Sequence, residues 1–436
     1  MGNSRLTRFT AFLAILSALL PLFASVPAHA AEPPAIEHAA GAYLYNFEND
    51  MTLLEYEADK RIYPASTVKL MTGILALEEL GGDMDQKITV TSAMLNKVVG
   101  NNIALKVGEV VTVSDMLHAL LVYGANDAAQ VLAISVAGSI EDFVARMNDK
   151  AQRIGAYNTY YTNPTGMHND AMVTTVADTA AIARYAYSLP GFIEITSVTK
   201  YVMDNTNKSD YRNLWNRNSQ ISKFFDTRYY DSDSLGMNAG YTVQSGYCIV
   251  SVARQENLTY LCVVMNAEET DDAIWSYKNA ELLLEWAFAS YAYTEVLPAS
   301  ARICELPVSL SSTVDHVTLV PAEAIVRYLP TDINPEADIH LSYTTHGTSL
   351  AAPVEAGQVC GTVTVTWGDD ILGSTDLIAT AAVGRSDFLY LLQQIREFTE
   401  GRFFRATMVF VILFSILYIL LEARRRERQI RRHRHY

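Results

Sequence analysis

The chain is short of basic residues. Its 436 residues carry 33 Lys and Arg against 48 Asp and Glu, a formal net charge of −15 at pH 7. That sign excludes nucleic acid as the main partner, because a phosphate backbone is held by positive fields. Charged residues make up only 19% of the chain and hydrophobic residues 50%, which excludes global disorder. Cysteine is scarce as well: Cys248, Cys262, Cys304 and Cys360 form no C-x-x-C, and no histidine sits at a zinc-ligand spacing from them. Neither a metal nor a cofactor is expected. Cys248 and Cys262 fall in apolar, strand-like runs and read as buried thiols, whereas Cys304 and Cys360 share a second domain, where a disulfide and two free thiols both stay open. Internal repeats and low-complexity linkers are absent, and the length points to roughly two to three domains.

The few basic residues are unevenly placed. Residues 1–30 hold Arg5 and Arg8 and no acid, and residues 422–436 hold seven Arg against Glu422 and Glu427. The body between them keeps 24 basic and 46 acidic residues, net −22. At the N-terminus, Arg5 and Arg8 precede the apolar run Phe9 to Leu22 and the small residues of Ala28-His29-Ala30. That order predicts a cleaved secretory signal over 1–30 rather than a retained anchor. At the C-terminus, Ala406 to Leu421 has no charge, and Phe403-Phe404 extend it to a length near the ~20 residues needed to span hydrocarbon. No polar face interrupts 406–421, which favours a spanning helix over 403–421 rather than one lying flat. The arginine-rich tail 422–436 then belongs in the cytoplasm by the positive-inside rule, with the acidic body outside, anchored at the cell membrane.

Apolar periodicity divides that body. Residues 41–57 read as a hairpin turning at Glu48-Asn49-Asp50. Residues 65–80, 114–123 (with Ser114 as N-cap), 127–137, 176–188 and 278–291 read as helices, and 244–254 and 258–266 as paired strands. This mixture predicts one α/β domain over 35–292. From 300 to 384, short β-branched runs alternate with Gly, Pro and Asp turns, the texture of a small all-β domain. Residues 386–402 read as an amphipathic lead-in helix to the membrane segment.

Ser66-Thr67-Val68-Lys69 is the sharpest chemical signal. A serine at a helix start and a lysine one turn later share a face. The hydroxyl becomes a nucleophile only when a base takes its proton, and a buried lysine with a lowered pKa is such a base. The bland alternative is a capping serine beside a solvated lysine, since S-x-x-K recurs by chance. Other candidates are weaker. Asp231 to Gly236 faintly resembles a calcium loop, but Thr242 stands where its closing Glu belongs, so it reads as a polar turn. His118 lies in an apolar helix and reads as packing, and His168 as structural.

Around Ser66 stand further segments. Tyr63-Pro-Ala-Ser-Thr-Val-Lys-Leu-Met-Thr72 is followed by Ala125-Asn126-Asp127-Ala128-Ala129 and Asn163-Pro-Thr-Gly-Met-His168. Then come Gly236-Met-Asn-Ala-Gly-Tyr-Thr242, Ser245-Gly-Tyr-Cys248 and Ala352-Pro-Val-Glu-Ala-Gly357. In that order they resemble the low-molecular-mass penicillin-binding proteins, the serine D-alanyl-D-alanine carboxypeptidases, over about 35 to 385. The resemblance implies an α/β fold of the β-lactamase/transpeptidase type, an antiparallel sheet with flanking helices and a helical subdomain, followed by a small C-terminal all-β domain. It implies Ser66 as acylated nucleophile, Lys69 as its base, and Asn126 as the residue bonding the substrate amide. It also implies substrate contacts at 238–241, with the N–H of Tyr241, after Gly240, as second oxyanion donor. The implied partner is the peptidoglycan stem peptide ending in D-Ala-D-Ala, with β-lactams as inhibitors of the same serine.

Two motifs depart from the family. Where it has Ser-x-Asn this chain has Gly124, without a hydroxyl, and Tyr123 is one residue out of register. Where it has Lys-Thr-Gly this chain has Asn238-Ala239-Gly240, losing the cation and hydroxyl expected to hold a substrate carboxylate. Residues 266–280 contain no Arg, and Lys278 is their one cation. Loss of a lysine at 238 also removes a like charge from Lys69, so Lys69 is expected to keep its proton more often. The expectation is a carboxypeptidase-like hydrolase of reduced or altered activity. The alternative is a non-catalytic peptidoglycan-binding or scaffold protein on the same fold. A β-lactamase-like hydrolase is disfavoured, since no deacylating glutamate is evident.

Overall fold

Strands rich in apolar residues, paired as two sequence-local groups, build the layer on which the rest of the N-terminal body is assembled. The computed structural model describes residues 32–433, so the expected signal segment 1–30 lies outside the described residues. Strands β1 (Ala39–Asn46) and β2 (Met51–Tyr56) form the expected hairpin. With β3 (Ser234–Thr242), β4 (Gly246–Gln255) and β5 (Leu258–Ala267) they make a five-stranded antiparallel sheet in the order β2-β1-β5-β4-β3. Strand β5 is central and buried at nine of its ten residues, which is why it reads as a continuous apolar run rather than an alternating one.

Helices fill the space beside the sheet. They are α1 (Val68–Leu80), α2 (Val113–Leu121), α3 (Asn126–Ala137), α4 (Ile140–Ile154), α5 (Val176–Ser188) and α6 (Trp275–Ser290). Every residue of α1 from Val68 to Ala76 is buried, so the helix is a core element on all sides. Leu70, Met71 and Ile74 share one apolar cluster with Leu117 and Leu120 of α2, Leu132 of α3 and Phe143 of α4.

Two local expectations change. The cap of α2 is Thr112, not Ser114: Thr112 accepts from Asp115 N while the Asp115 carboxylate accepts from Thr112 N, a capping box that outcompetes a lone serine. Helix α4 was not foreseen, although Ser139 caps it and Phe143, Met147 and Ala151 are buried at four-residue spacing. Its strongly polar remainder masks that stripe in the sequence.

The chain divides into two compact units. The first runs to Ala292 and takes in Pro330–Asp332; the second holds Tyr293–Leu329 and Ile333 onward. The second contains a six-stranded sheet in the order Ile339–Thr345, Val359–Trp367, Asp370–Ala379, His316–Pro321, Cys304–Ser309, Leu350–Ala351. Its core is a separate cluster around Leu319, Val363, Val365 and Leu377. Helix α7 (Asp387–Glu400), capped by Ser386, and helix α8 (Arg402–His433) end the described chain. One helix among the described residues, Arg402–Arg428, is long and apolar enough to cross a membrane, with mean hydropathy 2.3. The basic segment expected as a tail is helical as far as His433, continuous with the apolar stretch. All four cysteines are free thiols, Cys304 and Cys360 included.

A buried ion pair ties the loop before α2 to the strand Arg212–Trp215. The Glu109 side chain is fully buried and accepts from Arg212 Nη1 at 2.8 Å, Thr206 Oγ1 at 2.8 Å and Lys106 N at 2.9 Å. Burial opposes its charge, but these donors outweigh burial and hold its pKa below the usual glutamate value. Glu109→Ala leaves Arg212 without its partner and is expected to cost about 3–5 kcal/mol in urea denaturation. Because the folded pKa is depressed, this contribution is present at neutral pH and is lost as pH falls through the carboxylate's folded pKa.

Candidate active site

Tyr63-Pro64-Ala65 feeds into a single 3-10 turn, Ala65–Thr67, from which α1 continues. Thr67 Oγ1 donates to Pro64 O at 2.6 Å, and Ala65 takes the left-handed conformation at φ +48°, unusual for a residue with a Cβ. Ser66 is in that turn and Lys69 in the first turn of α1, three residues on and on the same face. Lys69 Nζ donates to Ser66 Oγ at 3.1 Å.

Lys69 is 2% exposed. Its other partner is the carbonyl of Thr165, at 2.6 Å, and no carboxylate pairs with it among the described residues. Burial lowers its pKa to about 7. Without a like charge at 238, burial alone disfavours the ammonium form. The loop that offers Thr165 O is fixed from within: Asn163 Oδ1 accepts from Thr165 N, Thr165 Oγ1 and Gly166 N at 3.1, 2.9 and 2.9 Å. Gly166 (φ +80°) lies so close to Ala65 that a Cβ there would collide with the Ala65 carbonyl.

Strand β3 forms the opposite wall. A Cβ on Gly240 would lie 2.6 Å from Ser66 Cβ and 2.8 Å from Ser66 N, so only glycine lets the strand approach the serine this closely. Side chains two apart on a strand share a face, so Asn238 is on the Gly240 side, towards Ser66. Ser66, Lys69, Gly124, Asn238, Ala239, Gly240 and Tyr241 line one cleft of about 460 Å³.

Asn126 does not line it. At the start of α3 its side chain turns back, and Nδ2 donates to Val99 O at 2.7 Å, holding the 99–101 loop. Its Oδ1 is buried without a partner. The amide nitrogen of Asn126 thus braces that loop, while its oxygen keeps an open acceptor. Gly124 has φ +75°, and a Cβ there would meet only Asn101 Nδ2 at 3.6 Å. Space for a side chain remains; the backbone conformation is what favours glycine. Asn101, which the sequence did not flag, donates to Tyr123 O at 2.6 Å and lines the cleft.

Lys278 bonds Glu281 at 2.8 Å and is not part of the cleft. The basic residue that lines it besides Lys69 is Arg217, whose guanidinium lies 4.7 Å from the Phe225 ring and 5.8 Å from that of Tyr123. It was missed because it lies upstream of β3, in Asn216-Arg217-Asn218-Ser219, where three of the four residues are buried despite being polar. Burial of a polar run has no sequence signature. His118 is stacked on Tyr201 at 3.9 Å and bonded to Ser114 O at 2.7 Å, and His168 bonds Asp170 at 3.0 Å; neither lines the cleft. Among the described residues no cluster of His, Cys, Asp or Glu is suited to hold a metal, the 231–236 turn included.

The Gly240 contact generates a test. Gly240→Ala must push β3 and Ser66 apart, and a displacement of about 1 Å at a reacting centre costs about 100-fold. Covalent labelling of Ser66 by a β-lactam is expected to fall by about that factor, with the thermal melting curve retained.

The chain is similar to known proteins along most of its length. Residues 27–269 match the family model described as D-alanyl-D-alanine carboxypeptidase, and residues 293–385 match that of the penicillin-binding protein 5 C-terminal domain. The D-alanyl-D-alanine carboxypeptidase DacF of Bacillus subtilis is 26% identical over 364 residues, covering 82% of this chain and 88% of that protein. Penicillin binding protein 5 from Haemophilus influenzae superposes with a TM-score of 0.56 at 26% identity, covering 81% of this chain and all of that one. Penicillin binding protein 6B from Escherichia coli shares the fold at TM-score 0.60 and 22% identity, over 81% of this chain and 98% of that one. With more than half its length matched by the first model, this chain belongs to the D-alanyl-D-alanine carboxypeptidase family, the low-molecular-mass penicillin-binding proteins.

Proposed function

We propose that the protein is a membrane-anchored serine D-alanyl-D-alanine carboxypeptidase-like enzyme of reduced or altered activity, acting on peptidoglycan stem peptides through an acyl-enzyme on Ser66. The observation that carries this is the 3.1 Å approach of a hydroxyl to a buried amine whose pKa burial lowers to about 7. Neutral Lys69 takes the Ser66 proton, and Oγ adds to the carbonyl of the penultimate residue. The N–H groups of Ser66 and Tyr241 stabilise the oxyanion, and the proton passes to the departing amine as the C–N bond breaks. Water then hydrolyses the ester.

Asn238 and Ala239 offer no charge-assisted hold on a terminal carboxylate. Such bonds contribute about 1.5–3 kcal/mol each, so their absence lowers efficiency by about two to four decades. Helix α8 is the proposed anchor, with its arginines on the cytoplasmic side and the acidic units outside. The domains assigned to this scheme are a carboxypeptidase-like body over 35–292, a β domain over 300–384, a lead-in helix over 386–402 and a span over 403–421. A second reading, a non-catalytic peptidoglycan-binding protein, is favoured by Gly124, by the substitutions at 238 and 239, and by the engagement of Asn126 with Val99 O.

Intact-mass spectrometry of the full chain in detergent after incubation with a penicillin separates the two. The enzyme reading expects an adduct on wild type and none on Ser66→Ala; no adduct at high dose supports the second. Because Lys69 must be neutral to accept the proton, the acylation rate is expected to rise with pH through about 7 and level off above it. Restoring the third motif with Asn238→Lys and Ala239→Thr is expected to raise release of D-Ala from a diacyl-peptide ending in D-Ala-D-Ala by at least about tenfold.

A further inference from the structure

Beside the Ser66 cleft, one stretch of chain runs against the acidic character of the whole. Residues 200–230 hold six Lys and Arg against three Asp, and they bring aromatic rings to the surface. Lys200 is opposite Trp215 where strand Lys200–Met203 pairs with Arg212–Trp215, and its Nζ lies 5.1 Å from the centre of the Trp215 ring. Phe224 stacks on that ring at 4.6 Å, and Phe225 meets Phe224 edge to face at 5.0 Å. Lys223 Nζ is 4.0 Å from the centre of the Tyr230 ring. Phe224, Phe225 and Tyr230 are 57%, 45% and 43% exposed, so these rings are not part of a core. A contiguous exposed patch of this kind marks an interaction surface.

Trp215, Lys223, Phe224 and Tyr230 line a groove of about 440 Å³, inside the range of roughly 300–1,000 Å³ usual for ligand sites. Phe225 lines the cleft that holds Ser66 and Lys69. The adjacent rings 224 and 225 therefore join the groove to the cleft. Among the described residues neither Lys200 nor Lys223 has a carboxylate partner or a side-chain hydrogen bond, and the Trp215 indole N–H and the Tyr230 hydroxyl are likewise unbonded. A ligand that fits offers an apolar face to the rings and oxygen acceptors at its edge. An amino-sugar ring does both. Its axial C–H groups carry partial positive charge, which the negative face of an aromatic ring attracts, and its hydroxyl, acetamido and carboxylate oxygens accept from the donors.

We infer that this groove is an exosite for the glycan strand of peptidoglycan, holding the polymer while one of its stem peptides enters the Ser66 cleft. The inference rests on the peptidoglycan reading above and deepens it. A stem of about five residues spans at most about 17 Å, so the strand that carries it stays within reach of a groove that begins at the cleft wall. Stems attached to polymer are then better substrates than free peptides.

The test mixes the full chain in detergent with insoluble peptidoglycan and measures the bound fraction. Release of D-Ala is followed from that polymer and from soluble diacetyl-L-Lys-D-Ala-D-Ala. Phe224→Ala is expected to weaken retention about tenfold. Lys200→Gln with Lys223→Gln is expected to weaken it by up to about fivefold per lysine and to flatten its salt dependence. In both variants release from the polymer falls relative to release from the soluble peptide. A β-1,4-linked hexamer of N-acetylglucosamine is expected to compete for wild-type retention. Melting curves confirm each fold, and the exposed lysine pair keeps the test alive should Phe224→Ala not fold. Wild type that is not retained, or retention equal in wild type and variants, overturns the inference. Equal losses on polymer and soluble peptide overturn it as well, because the residues then serve the cleft itself. Absence of competition by the hexamer overturns the assignment to glycan. Groove-dependent retention without a penicillin adduct on Ser66 supports the exosite and removes the enzyme reading alone.

Discussion

An amine stripped of water at position 69 is the constraint around which the N-terminal unit is organised. Lys69 is in a helix buried on every side, and its two partners are a hydroxyl and a carbonyl, neither charged. The ammonium form is correspondingly disfavoured. Keeping that arrangement dry and rigid takes three separate pieces of chain. The 3-10 turn holds Ser66 over the lysine, the Asn163–Gly166 loop offers its carbonyl, and β3 closes the other side by bringing Gly240 against Ser66. Each piece is set by a local feature: a left-handed Ala65, an asparagine accepting three bonds, and two glycines where a methyl group does not fit.

The departures at 124, 238 and 239 leave that arrangement intact, and this separates two properties that family motifs usually carry together. Activation of the serine depends on burial and on the turn. Recognition of the substrate's far end depends on what lines the rest of the cleft. The replacement of a cation and a hydroxyl by a carboxamide and a methyl changes the hydrogen-bond inventory without opening the cleft, because Asn238 is itself buried.

Much of the sheet was legible in the sequence. The hairpin at 41–57 and the strands near 246–255 and 258–267 follow from apolar runs bounded by turn residues, and α5 from its periodicity between Thr175 and Ser188. The pairing of Ser66 with Lys69 was legible because it is local: a separation of three residues at a helix start fixes it. What escaped was non-local or competitive. Thr112 displaced Ser114 as a cap through a reciprocal bond to Asp115. Asn126 turned towards a loop 27 residues upstream, and Arg217 reached the cleft from outside the segment searched for a cation. Helix α4 hid a narrow apolar stripe in a polar segment. Each outcome depends on where distant backbone falls, which spacing does not encode.

The cysteines carry a consequence of their own. Burial drives the Cys248 thiol up to about 12 and raises that of Cys262 further, so almost no thiolate exists at either site near neutral pH. Thiolate is the species that oxidants and disulfide-exchange catalysts attack. With all four sulfurs reduced, the fold asks nothing of the redox state of its surroundings. Such a fold forms in a reducing or an oxidising compartment alike, with no oxidoreductase step on its route.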